Sequence, residues 1–154
     1  MRILLVIALL LCSAVQAAER WEYRVLDRKP HPREYFTQGL EIHDGIVIEG
    51  TGNYGRSRLL RYRLDDGSVL AERHLPDTLF GEGITRLGGR IYQLTWREGI
   101  GLIWSEETLE PLGEFSLTGE GWGLCNDGRS LIISDGSATL RWLDPADFSE
   151  QQSL

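Results

Sequence analysis

The chain has 154 residues, with 16 Lys and Arg against 23 Asp and Glu, a net charge of −7, and 42% hydrophobic residues. Acidic charge interspersed along the chain, with no acidic tail, fits an ordinary solvated surface and argues against nucleic acid or an anionic membrane as partner. The apolar share is enough to build a core.

The first element is a leader. Met1-Arg2 gives a basic start, Ile3 to Leu11 is unbroken aliphatic, and Val15-Gln16-Ala17 offers small residues for cleavage, so residues 1–17 read as a secretory signal peptide and the chain is expected to be secreted or periplasmic. The apolar run is too short for a membrane span and no second one follows, so no membrane association is expected after cleavage. Leu11 before Cys12 argues against a lipid-bearing cysteine, and beyond the leader Cys125 stands alone, which rules out a disulfide scaffold.

From residue 18 to residue 154 the signals are those of strands. Apolar residues alternate or run in fours to sixes between Gly, Asp and Pro, with no sustained helical series. Three stretches repeat, FTQGL (Phe36 to Leu40), LFGEGI (Leu79 to Ile84) and EGWGL (Glu120 to Leu124). Aligned on Gly39, Gly83 and Gly123, each is followed by a turn (Asp44-Gly45, Gly88-Gly89, Asp127-Gly128) and a β-rich run (IVIEGTG, RIYQLTW, SLIISDG). A strand with an aromatic comes next, at Tyr62, Trp104 and Trp142, and then a fourth strand. A unit of about forty residues with four strands predicts an all-β β-propeller, with blades near 36–78, 80–118 and 120–154. The first strand of each blade lines the axis, so Gln38, Glu82 and Trp122 are expected to meet in an enclosed channel. Three blades do not close a ring. The expectation is therefore a chain truncated at Leu154, in preference to one that pairs with further copies to cover its edges.

Gly50 to Gly55 matches G-x-G-x-x-G, but SRLLRYRL after it reads as a strand where a dinucleotide site needs a helix. The segment is expected to be a hairpin connection. His31, His43 and His74 lack metal-ligand spacing and read as surface or locally bonded histidines. Trp21, Trp104 and Trp142 read as packing residues. Glu82 is different: an axial carboxylate with a structural role needs a buried partner, and the adjacent segment offers only Arg86.

FTQGLEI (Phe36 to Ile42), EGTGNYGRSRL (Glu49 to Leu59), LFGEGIT (Leu79 to Thr85), IYQLTW (Ile91 to Trp96) and GEGWGL (Gly119 to Leu124) together resemble the plant and bacterial type of glutaminyl-peptide cyclotransferase. The resemblance covers the chain from about Trp21 and implies a five-bladed propeller, with about two blades beyond these three. It implies action on peptides or proteins with N-terminal glutamine, closing it to pyroglutamate and releasing ammonia. By resemblance Glu82 matches the family's acid/base glutamate, and Phe36, Gln38, Phe80, Trp96 and Trp122 match its substrate pocket. An asparagine, a further tryptophan and a lysine that the family draws from later blades have no counterpart before Leu154. The resemblance implies no cofactor for catalysis and a monomer when full length, and leaves a structural metal ion in the channel open. Two other classes also stay open: a non-catalytic propeller binding peptides or glycans, and a propeller dehydrogenase carrying a quinone or metal.

Overall fold

The computed structural model describes residues 20–154, so the leader expected over residues 1–17 lies outside the described residues. What is described is all-β, twelve strands in three four-stranded antiparallel sheets. The first sheet is β1 (Thr37–His43), β2 (Ile46–Thr51), β3 (Arg58–Arg63) and β4 (Val69–His74). The second is β5 (Gly81–Leu87), β6 (Arg90–Thr95), β7 (Ile100–Ser105) and β8 (Pro111–Ser116). The third is β9 (Leu124–Asn126), β10 (Leu131–Ser134), β11 (Leu140–Leu143) and β12 (Glu150–Ser153). Each sheet is a meander in sequence order, and the first strands β1, β5 and β9 lie side by side, as the inner strands of propeller blades do.

The central blade is buried on both faces, which explains its near-continuous apolar runs. Along β6, Ile91 enters a cluster with Ile48, Leu59, Ile84 and Trp104 between the first two blades, while Tyr92 and Leu94 enter a second with Ile103, Phe115, Leu131 and Ile133 between the last two. The alternation is the two-residue period of a strand, read once toward each neighbour. Trp104 is thus a packing residue, as expected, and Trp142 is half-buried. Trp21 is not: it is 85% exposed. It lies in an irregular N-terminal segment ahead of the first sheet, so no strand partner carries it inward.

The turn into each fourth strand holds one residue in the left-handed region: Gly67 (φ 72°), Leu109 (φ 57°) and Phe148 (φ 61°). A side chain there costs about 1–2 kcal/mol. Burial offsets it, because Leu109 is fully buried in the first cluster and the Phe148 ring stacks on Phe115 at 4.1 Å. The G-x-G-x-x-G segment is the β2–β3 hairpin connection, so no helix starts there to face a pyrophosphate.

His31 is exposed, as expected, but its bond is not local: it reaches a group 18 residues on that sequence reasoning did not single out. Glu49 on β2 is fully buried, and its carboxylate meets His31 Nε2 at 2.9 and 3.0 Å and accepts the hydroxyls of Thr37 (2.6 Å) and Tyr62 (3.0 Å). This cluster ties the N-terminal segment to the start of β1. Burial and the neighbouring carboxylate push the Tyr62 phenol far above its ordinary range.

Candidate active site

The residue before each repeated Gly-aliphatic pair sits where regular pairing fails. The β1–β2 ladder shifts register between Thr37 and Gly39, at Gln38, and the β5–β6 ladder between Gly81 and Ile84, at Glu82. Trp122 precedes β9 altogether. Such irregularities re-aim a side chain, and here they turn Gln38, Glu82 and Trp122 toward one rim of the arc. The flanking glycines have a separate cause. A Cβ on Gly83 would come within 2.6 Å of both the Leu124 nitrogen and the Trp122 oxygen, and one on Gly81 within 2.7 Å of the Thr51 oxygen. Glu82 therefore stands between two points where neighbouring blades touch backbone to backbone.

Gln38, Phe80, Glu82, Trp96 and Trp122 together line one depression of about 370 Å³. Phe36 lies at its margin, its ring 6.3 Å from Phe80 and edge-on, and Phe80 meets Trp96 at 5.5 Å in the same way. The six residues expected at the pocket are thus gathered, five on its lining and one beside it. The enclosure expected of a channel is not met: Phe36 is 52% exposed and Trp122 47% exposed.

Gln38 Nε2 donates to Glu82 Oε1 at 3.3 Å, long for a bond to a carboxylate. Burial, then the charges of Glu98 and Glu120, raise the Glu82 carboxyl from the usual 4.5 to about 7. Arg86, the partner considered from sequence, bonds Glu106 through Nε at 2.8 Å and does not pair with Glu82. The shift therefore has a physical origin and no counter-charge to undo it, which is the pattern of a group poised for proton transfer.

Three residues at the rim were missed in sequence. Glu120 accepts both indole N–H groups at one oxygen, from Trp96 at 2.8 Å and from Trp122 at 2.9 Å. Tyr54 donates its hydroxyl to Glu98 at 2.8 Å and places its ring 5.4 Å from Phe80. A signal for each was present: Glu120 sits between glycines as Glu82 does, and Tyr54 and Glu98 are 44 residues apart, the separation that also joins Gln38 to Glu82. At the far end of the inner strands Glu41 accepts Thr85 Oγ1 at 2.6 Å and the Arg86 amide at 3.0 Å, while Asn126 donates to Thr85 Oγ1. No group of three or more His, Cys, Asp or Glu among the described residues is placed to hold a metal ion.

Fold and site together define a β-propeller-type protein whose inner strands bring an acid, an amide and aromatic walls to one rim. The glutamine cyclotransferase family model matches residues 3–154. The Arabidopsis thaliana glutaminyl-peptide cyclotransferase is 37% identical over 127 residues, 80% of this chain and 39% of that protein. The crystal structure of Myxococcus xanthus glutaminyl cyclase aligns with a TM-score of 0.72 and 34% identity, over 81% of this chain and 53% of that one. The RRP9 WD40 repeats align at 12% identity with a TM-score of 0.63, over 80% of this chain and 40% of that one, a likeness of fold alone. This chain belongs to the glutamine cyclotransferase family. It spans about half, or less, of the length of the two cyclase relatives.

Proposed function

We propose that the chain carries part or all of a glutaminyl-peptide cyclotransferase site, an acyltransferase that closes N-terminal glutamine of peptides or proteins to pyroglutamate. The observation that carries this reading is the Glu82 carboxyl, raised to about 7 beside Gln38 within an aromatic bowl. In the reaction the substrate's α-amine attacks its own γ-carboxamide carbon. The new C–N bond forms as the old C–N bond breaks, so no protein nucleophile is needed and the only product besides pyroglutamate is ammonia. The attacking amine must lose a proton and the departing nitrogen must gain one. A single carboxylate within reach of both can accept the first and return it. A carboxyl titrating near neutrality suits both halves of that transfer better than one at 4.5. Phe80, Trp96 and Trp122 with Phe36 hold the glutamine side chain folded on its amine, a conformational task that tight walls perform. Gln38 offers its amide to orient the substrate.

No cofactor enters this chemistry. We further propose that residues 1–17 export the chain to the periplasm or the outside, where Gln-initiated peptides or proteins are its partners.

The test is ammonia release from a Gln-initiated peptide, with the N-acetylated peptide as control. Release is expected from the first and not from the second, whose nitrogen is no longer nucleophilic. The rate, as kcat/KM, should rise with pH across about 7 to 8, because two protons must be lost: that of Glu82 at about 7 and that of the substrate amine at about 7.7–8.0. A profile flat between about pH 6 and 8.5 would contradict it. A peptide- or glycan-binding module without catalysis would use the same aromatic walls, and the open rim suits one; it would bind the peptide and release no ammonia.

A further inference from the structure

An indole carries one N–H, and where that donor points fixes the ring about its side-chain bonds. Trp96 directly follows β6 in the second blade and Trp122 precedes β9 in the third, so nothing in either sheet ladder sets one ring relative to the other. Both N–H groups nevertheless converge on a single oxygen, Glu120 Oε2, at 2.8 and 2.9 Å. The other oxygen, Oε1, accepts Arg97 Nε at 2.9 Å, and the Arg97 guanidinium lies 3.8 Å from the Trp96 ring centroid. Backbones follow the same path: Gly121 N donates to the Trp96 carbonyl at 2.9 Å. On its far side the Trp122 ring rests against Gly136, where an added Cβ would fall 2.7 Å from Cζ2.

We propose that Glu120 is a positioning residue of the site, fixing Trp96 and Trp122 through one carboxylate oxygen so that walls from two blades form a single rigid aromatic corner. All its short contacts are spent on this. Bonds from Trp122 and Trp96, and then from Arg97, hold its carboxyl below the usual range, so it stays charged throughout the pH range over which Glu82 titrates. Glu120 is therefore no proton carrier, but its charge reaches Glu82 beside it. The groups bearing on Glu82 are then Gln38, Glu98 with its donor Tyr54, and Glu120 with its partner Arg97.

The kinetic part of the test rests on the cyclotransferase reading; the spectroscopic part does not. In Glu120→Ala the indole ¹⁵N–¹H resonances of Trp96 and Trp122 should both move and exchange faster with solvent, while that of Trp104 stays. For the Gln-initiated peptide KM should rise about tenfold, the loss of a charge-assisted hydrogen bond's worth of order. Glu120→Gln keeps an acceptor oxygen and loses the charge. Its KM should stay within about threefold of the parent, while the rising limb of its pH profile moves to lower pH, a change that a merely structural side chain would not produce. The proposal is overturned if either indole resonance is unchanged in Glu120→Ala, or if the parent is active and both variants keep its KM and its pH limb. Failure of the cyclotransferase reading shows separately, as a parent that releases no ammonia, and the indole resonances then decide alone.

Discussion

Glu82→Gln is expected to lower kcat for ammonia release by about a hundredfold to ten-thousandfold, the range for removal of a general acid–base group. KM should change little, since the aromatic walls and Gln38 remain. The substitution separates chemistry from folding. A glutamine carbonyl still accepts Gln38 Nε2, and the neutral amide resembles the protonated carboxyl. Because the folded carboxyl titrates at about 7 and not at 4.5, the stability its neutral form supports is present at low pH and lost as pH rises through about 7. At pH 8 the variant should therefore melt no lower than the parent. Activity within a few-fold of the parent would remove Glu82 from the proposed proton transfer.

The second large effect is on stability. Gly83→Ala should destabilise the fold by about 3 kcal/mol, the upper part of the usual overpacking range. The new methyl would meet backbone, which cannot swing aside: the Leu124 nitrogen and the Trp122 oxygen, each at 2.6 Å. To relieve it the second and third blades must part, stretching the 2.8 Å bond from Gly83 N to the Trp122 carbonyl and carrying Trp122 away from Glu82. Urea denaturation should show a lowered midpoint, and activity should fall with it. An unchanged midpoint would mean that the inner strands are not packed this closely.

Much of this was legible because the period is carried by backbone necessity. Gly83 is glycine for lack of room, and Gly39, whose added Cβ would fall 2.5 Å from the Ile84 nitrogen, is glycine for the same reason. The residue before each one therefore marks the rim, which is why Gln38, Glu82 and Trp122 could be named together. What stayed hidden depends on side chains meeting from segments distant in the chain, within a blade or between blades. Nothing in Glu120's own neighbourhood says that the Trp96 indole, from just after β6, will reach it, and the burial of Glu49 follows from His31, Thr37 and Tyr62 arriving from three different segments. Leu109 and Phe148 were opaque for another reason. Local preference favours glycine at a left-handed turn, as at Gly67, and only the packing between blades makes a large apolar side chain the better choice.

Glu120 and Glu82 also illustrate how the same residue between glycines takes opposite electrostatic roles. Three donors keep Glu120 ionised, whereas Glu82 is desolvated by burial and has one long contact and two like charges nearby. Environments that push two carboxyls apart in this way assign which can carry a proton.

The most direct measurement is a ¹³C NMR titration of the Glu82 carboxyl, assigned by its disappearance in Glu82→Gln. A midpoint near 7 is the predicted result. A midpoint at the ordinary 4.5 would mean that the group is a plain solvated carboxylate at neutral pH, and the proton transfer assigned to it would have no basis.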